Sequence, residues 1–310
     1  MIRLDNRLPV PDSLQGAIVA LGNFDGFHQG HQAVVGEAIR WARSEGRPVI
    51  VATFDPHPVR LFKPDAAPFR LTTLDQRQEL FGAAGADAML VLHFDRLMAS
   101  MTAEVWIEQV LVRQLGVAGV VTGEDFTFGK GRGGNPQVLG EVGARFGMTN
   151  RTVAPVHDQF GTISSSRVRE ALIAGDCEGA ARLLTRPFAV RGIVQHGNKF
   201  GRTMGFPTAN LDMAHYLRPH YGIYAVIGHF PDGRRFAGAA NLGIRPTIQP
   251  PKELLEPHFF DVSEDMYGLQ IEVAFHHFLR PEAKFASIEE MMVQIGRDCE
   301  KARELLASVL

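Results

Sequence analysis

The sequence predicts two folded parts of different class. Residues 1–185 read as an α/β domain built on a doubly wound parallel sheet. Residues 186–310 read as a smaller antiparallel sheet or barrel that ends in a helix. In the first part, apolar β-rich runs alternate with helix-period segments, the pattern of a sheet covered on both faces. From Arg186 onward, short strand patterns follow one another with turns and no intervening helices. The last segment then returns to an apolar stripe at helical spacing.

Ala17–Leu21 is the first buried strand. Gly22–His31, Gly-Asn-Phe-Asp-Gly-Phe-His-Gln-Gly-His, is a glycine-rich turn, and Val34, Val35, Ala38, Ile39 and Ala42 then share one helix face. Gly46 and Pro48 stop that helix ahead of a second strand, Val49–Phe54. A helix over Leu74–Ala84 leads to strand Ala88–Leu92, and a helix over Ala103–Gln114 leads to strand Val117–Thr122. In sheets of this kind ligands bind beyond the carboxyl ends of the strands. Gly22–His31 follows the first strand, Asp55-Pro56-His57-Pro58 the second, and Gly123–Gly129 the fourth.

His28 and His31, flanking Gly30, stand where the backbone N–H groups of a helix start are unpaired. Those groups and the helix dipole favour a phosphate, and imidazoles add donors. His57 lies between prolines and fits a rigid turn as readily as a ligand contact. Ile163-Ser164-Ser165-Ser166-Arg167-Val168-Arg169 is a second anion cradle, with hydroxyls at a helix start and the guanidinium fork of Arg169. Capping the helix would need only one of the three serines.

Gly222–Gly228 and Phe236–Asn241 are short strands, and Leu269, Ile271, Val273 and Phe275 alternate with polar or small residues as a half-buried strand does. Ser287 and Glu290 form a capping-box pattern ahead of a stripe of Ile288, Met291, Ile295, Cys299, Ala302 and Leu306, which is expected to pack on the sheet. The dense motif of this part runs from Gly197 to Asn210. Gly201 and Gly205 allow close approach of backbone to a ligand. Thr208 and Asn210 offer uncharged oxygen of the kind used around Mg²⁺ and phosphates. The motif is not a P-loop, because it lacks Gly-Lys-Ser/Thr and opens no helix. Glu256, in an apolar strand-like setting, reads equally as a general base or as a salt-bridged carboxylate.

Composition narrows the function classes. A chain of 310 residues allows two domains, and a net charge of −2 with no basic stripe argues against nucleic-acid or membrane-surface partners. Cys177 and Cys299 form no ligand pattern and read as buried free thiols of a cytoplasmic protein. The start, Met1-Ile2-Arg3-Leu4-Asp5, is charged rather than signal-like, and no apolar run approaches the about 20 residues that span a bilayer.

The order of His28-x-Gly-His31 and Ile163–Arg169 resembles the nucleotidyltransferase superfamily, whose members carry a Rossmann-like doubly wound sheet. Gly201–Asn210, with Phe206-Pro207-Thr208-Ala209-Asn210 at its centre, resembles riboflavin kinase. Together with Thr53–Pro58, Gly123–Gly129 and Asn241–Thr247, the whole chain resembles the bacterial bifunctional riboflavin kinase/FMN adenylyltransferase (FAD synthetase) family. That resemblance implies a six-stranded barrel in the second part, ATP as co-substrate at two sites, and riboflavin, FMN and FAD as substrates or products. It implies that His28 and His31 hold the triphosphate, with Gly22, Phe24, Asp25 and Gly30 around them. Ser164, Ser165, Ser166 and Arg169 would bind the departing phosphates, and Asn23, Asp125 and Phe126 would lie near the flavin. In the second part, Gly201, Arg202, Gly205, Phe206 and Pro207 would line the nucleotide site. There Thr208 and Asn210 would bind Mg²⁺ and phosphates, and Glu256 would take the proton from the riboflavin 5′-hydroxyl. Two positions depart from the family pattern: Pro257, where a β-favouring residue is usual, and Thr127, where many members have arginine.

Overall fold

A computed structural model of the chain describes residues 1–196, 205–245, 252–262 and 264–309. Contacts divide the chain into two units, one of Met1–Ala67 and Thr73–Ser164, the other of Pro68–Thr72 and Ser165–Leu310.

The first unit is built on six parallel strands: β1 (Ile2–Asp5), β2 (Ile18–Leu21), β3 (Val49–Asp55), β4 (Ala88–His93), β5 (Gly119–Gly123) and β6 (Thr149–Val153). Their order in the sheet is β1-β4-β3-β2-β5-β6. The helices between them are α1 (Gln29–Glu45), α2 (Pro58–Phe62), α3 (Leu74–Ala84), α4 (Arg96–Ser100), α5 (Ala103–Trp106) and α6 (Pro136–Ala144). Strand side chains alternate between two cores. Ile18, Ala20, Val49 and Val51 pack with Val35, Ala38 and Ala42 of α1 and Phe81 of α3. Val19, Leu21, Ile50 and Ala52 pack with Trp106, Ile107 and Leu111 and with Leu139 of α6. Burial on both faces explains why these strands are continuously apolar.

The segment expected as one helix over 103–114 is α-helical only to Trp106, and Ile107–Gln114 continues it as a π-helix. The fourth of the expected strands begins at Gly119 rather than Val117. A short hairpin, β7 (His157–Asp158) and β8 (Gly161–Thr162), precedes Ser164.

The second unit opens with α7 (Ser165–Ile173) and α8 (Cys177–Leu184). Among the described residues its sheet has six strands: β9 (Phe188–Ile193), β10 (Leu211–Asp212), β11 (Gly222–His229), β12 (Arg235–Arg245), β13 (Lys252–Phe259) and β14 (Gln270–Pro281). They run antiparallel in the order β10-β13-β12-β11-β14-β9. The two ends of this sheet meet where Gln195 N donates to the Asn210 carbonyl at 2.8 Å, leaving a nearly closed barrel. The C-terminal helix α9 (Ile288–Leu306) buries Ala302 and Leu306 against Ala225, Ile227, Ala237 and Ala239 of β11 and β12.

The expected stripe on α9 is corrected at its start. Ile288 is 51% exposed, and the buried Asp298 interrupts the apolar face. Ser287 Oγ caps the helix by accepting from Glu290 N at 3.1 Å, whereas the Glu290 carboxylate takes the Ala286 N–H instead of the reciprocal capping-box bond.

Candidate functional site

In the first unit the sheet order places the topological switch point between β2 and β5. The chain leaves β2 toward β3 and β4 on one side and returns to β5 and β6 on the other. Open α/β sheets bind ligands at that point, outside the carboxyl ends of the strands. Gly22–His31 follows β2 there, and the turn carrying Asp125 and Phe126 follows β5.

The turn after β2 is tightly held. Phe24 and Phe27 adopt φ of 50° and 48°, although neither is glycine. Both are buried, and their rings meet Phe81 edge-on at 5.8 and 5.1 Å. Left-handed backbone at bulky residues persists only where packing over-determines it. His28 is the N-cap residue of α1, yet its side chain makes no capping hydrogen bond to the helix. Its ring instead stacks on His31, with centroids 3.7 Å apart and planes inclined by 26°. Gly30 leaves room between them: a Cβ there would stand 3.1 Å from the His28 ring and 3.4 Å from the Ile163 carbonyl. That second contact also places the start of the Ile163–Arg169 motif beside the turn. Asn23 Oδ1 and Thr122 Oγ1, at the ends of β2 and β5, are buried without a hydrogen-bond partner among the described residues.

Asp125 is exposed and Phe126 half-buried, its ring stacked on Phe128 at 5.6 Å. His57 takes the turn role, since Nδ1 caps α2 by accepting from Val59 N at 3.2 Å. In the second unit, Ser165 and Ser166 begin α7. Arg169 donates Nε to the Phe69 carbonyl at 2.9 Å.

A cavity of about 380 Å³ lies between α9 and the side of the barrel that faces it, and its wall includes Phe206, Thr208, Asn241, Glu256 and His258. Glu256 is 5% exposed and faces Asn241 in the β12–β13 register, and Asn241 Oδ1 is buried without a hydrogen-bond partner among the described residues. Thr208 is tied to β13 on both sides. His258 Nδ1–H donates to the Pro207 carbonyl at 2.8 Å, and Ala209 N donates to the Pro257 carbonyl at 2.9 Å. The second tie also accounts for Pro257. In an antiparallel strand the N and C=O of one residue point the same way. The nitrogen of Pro257 therefore faces the Ala209 side, and its missing N–H costs no bond to β12.

The rest of the cavity wall is largely apolar, with Ile223, Phe285, Met291 and Ile295. Arg280 and Asp298 form an ion pair on that wall at 2.7 Å, and Gln294 Nε2 donates to the same carboxylate at 2.9 Å. Cys299 also lines the cavity as a free thiol, which burial pushes up to about 11. Asn210 is buried and closes the barrel through its carbonyl, but it is not part of the cavity wall. Gly205 has φ of 83°, a conformation suited to glycine. Gly201 and Arg202 lie outside the described residues.

Sequence reasoning missed Arg77, Asn241, His258, Arg280 and Asp298 as parts of these sites. The only local signal was Asn241, at the head of a motif already noted for its resemblance.

The fold is that of a two-domain protein, with a histidine turn at the switch point of an α/β sheet and, in the barrel domain, a cavity lined by a buried carboxylate. The family model described as FAD synthetase matches residues 10–167, and the one described as riboflavin kinase matches residues 184–306. The chain belongs to the bifunctional riboflavin kinase/FMN adenylyltransferase family. Relatives of that description from Escherichia coli (strain K12) and Haemophilus influenzae are 39% and 40% identical over 294 and 295 residues. Those alignments cover 94% and 95% of this chain and 93% and 96% of the relatives. A Bacillus subtilis relative is 36% identical over 292 residues, covering 92% of this chain and 91% of its own length. A solved structure described as a macrolide-efflux protein from Streptococcus pneumoniae has TM-score 0.86 at 29% identity, covering 98% of this chain and 99% of that one. The chain is thus a riboflavin kinase and FMN adenylyltransferase, an ATP-dependent enzyme of FAD biosynthesis. No helix among the described residues is long and apolar enough to cross a membrane.

Proposed function

We propose that residues 1–185 carry FMN adenylylation and residues 186–310 carry riboflavin phosphorylation, each with its own ATP and Mg²⁺. The observation that carries the kinase assignment is the cavity of the second unit, where the buried Glu256 shares a wall with Thr208. Glu256 accepts the proton of the riboflavin 5′-hydroxyl as that oxygen attacks the γ-phosphorus of ATP, and ADP leaves. Proton transfer of this kind contributes about 10²–10⁴ in rate. The apolar wall of Ile223, Phe285, Met291 and Ile295 suits a flavin ring.

Thr208 and Asn210 hold the ATP phosphates and Mg²⁺. Their hard, uncharged oxygens, with the orphaned amide oxygen of Asn241 nearby on the cavity wall, fit this ion. Magnesium keeps several waters and substrate oxygens in its shell and needs only one or two protein ligands. When bound it neutralises charge on the phosphates.

In the first domain a phosphate oxygen of FMN attacks the α-phosphorus of the second ATP, and the bond to pyrophosphate breaks. No protein nucleophile is needed, because alignment and charge neutralisation supply the catalysis. His28 and His31 donate to the phosphate oxygens. Gly22, Phe24, Asp25 and Gly30 shape the pocket around them, and Ser164, Ser165, Ser166 and Arg169 bind phosphate. Asn23, Asp125 and Phe126 meet the flavin. Gly201, Arg202, Gly205, Phe206 and Pro207 serve the kinase nucleotide in the same backbone-lining manner. Small flavins and ATP, rather than nucleic acid, are the partners. The free thiols Cys177 and Cys299 favour a reducing cytoplasm.

Chromatographic separation of products from riboflavin, ATP and Mg²⁺ tests both sites together. FMN should appear first and FAD later; accumulation of FMN alone, or no FMN at all, overturns the corresponding domain assignment. Thr208→Ala should raise the KM of the kinase for ATP about tenfold or more, the scale of a lost hydrogen bond to a charged group. FAD formation from supplied FMN should not change. An unaltered kinase KM removes Thr208 from the phosphate site.

A further inference from the structure

One face of α3 holds the histidine turn from outside. Arg77 and Phe81 lie one helical turn apart, so they share that face. Phe81 takes the rings of Phe24 and Phe27, the two turn residues with left-handed backbone. Arg77 has no exposed surface. Its Nη1 donates to Thr53 Oγ1 at 2.9 Å and to the Asn23 carbonyl at 3.4 Å, and its Nη2 lies 3.6 Å from the buried Asp25 carboxylate. Thr53 Oγ1 donates to the same Asn23 carbonyl at 2.7 Å. A buried guanidinium is tolerated only with a charged partner and satisfied donors. Here those partners are residues 23 and 25 of the turn and residue 53 at the end of β3. Asn23 is consequently fixed through its backbone, which leaves its buried amide oxygen for a ligand.

We propose that Arg77 is a positioning residue for adenylyl transfer: it fixes the path of the Asn23–Asp25 backbone, and so sets where the stacked His28–His31 pair meets the triphosphate. This rests on the assignment of His28 and His31 made above. Arg77 works through the turn, because its fully buried guanidinium meets Thr53, the Asn23 carbonyl and Asp25. A point-like ammonium cannot reproduce the fork that reaches all three partners.

The test compares Arg77→Met, Arg77→Lys and Thr53→Val in the full chain. Steady-state FAD formation is measured from FMN and ATP, with riboflavin phosphorylation by the same molecules as internal control. In Arg77→Met, kcat for FAD formation should fall about 100-fold, a share of what preorganised donors contribute. The KM for ATP should stay within about twofold, and kinase turnover should hold. Arg77→Lys should recover part of kcat, since it restores the charge facing Asp25. Thr53→Val removes one hydroxyl at nearly constant shape and should lower kcat about fivefold; it keeps the proposal testable if Arg77→Met leaves the first unit unfolded. A raised KM with parental kcat, or a lowered melting temperature with parental kcat in all three variants, overturns the positioning role. The two readings separate cleanly. If His31→Ala retains FAD formation while Arg77→Met loses kcat, the histidine assignment fails and control of the turn by Arg77 stands. If His31→Ala loses activity and the Arg77 and Thr53 variants do not, the positioning proposal alone is lost.

Discussion

Replacing His31 by alanine is expected to lower FAD formation from FMN and ATP by about 10²–10³, the usual loss when one electrostatic stabiliser of a transition state is removed. FMN formation from riboflavin should continue at the parental rate, because His31 belongs to the first contact unit and the kinase cavity to the second. The effect is expected to be large because the imidazole is not interchangeable with a neighbour. Its ring stacks on His28 at 3.7 Å and is braced by Phe24 at 5.2 Å, so it is held in one place at the start of α1. Stacking also links the two histidines. Removing His31 frees the His28 ring to turn, so the double variant His28→Ala/His31→Ala should lose less than the product of the single losses. Initial-rate assays of both reactions on one preparation give the answer. Loss of both activities together would point to misfolding, and retention of both would remove the turn from the chemistry.

What the sequence reveals of this molecule is its local pattern, and what it hides is pairing at a distance. Strands β2, β3 and β4 are legible because both faces are buried and the runs are apolar throughout. Strand β6 is not, because it lies at the sheet edge with Thr149, Arg151 and Thr152 exposed, and its composition reads as loop. The histidine turn announces itself by glycine and imidazole spacing. Arg77 does not, since an arginine on a helix reads as surface until Asp25 and Thr53 are brought to it from other elements. Asn241 and Glu256 lie far apart in the chain and face each other only through the antiparallel register of β12 and β13. Asp298 sits inside an otherwise apolar helix stripe, where its sense depends on Arg280 of β14.

Glu256→Gln keeps the size of the side chain and removes its basicity, so it separates chemistry from packing. The kcat for riboflavin phosphorylation should fall by about 10²–10⁴, the range for loss of a positioned general base. The KM for riboflavin should move little, because the apolar wall of Phe285, Met291 and Ile295 is untouched. Adenylylation of supplied FMN should proceed at the parental rate. Glutamine adds a donor where Glu256 faces the unsatisfied amide oxygen of Asn241, so the variant has a partner available and should fold. Pro257→Val is the matching control. The Pro257 nitrogen faces away from β12, and the substitution only restores an N–H on the Ala209 side. Kinase turnover in that variant should stay within about twofold, as for most swaps between buried apolar residues of similar volume. A large loss in Pro257→Val with none in Glu256→Gln would mean that the strand geometry, rather than the carboxylate, limits the reaction. Kinase turnover unchanged in Glu256→Gln, whatever the control does, would require another base within the cavity. The candidate facing it is then His258, two residues along the same face of β13.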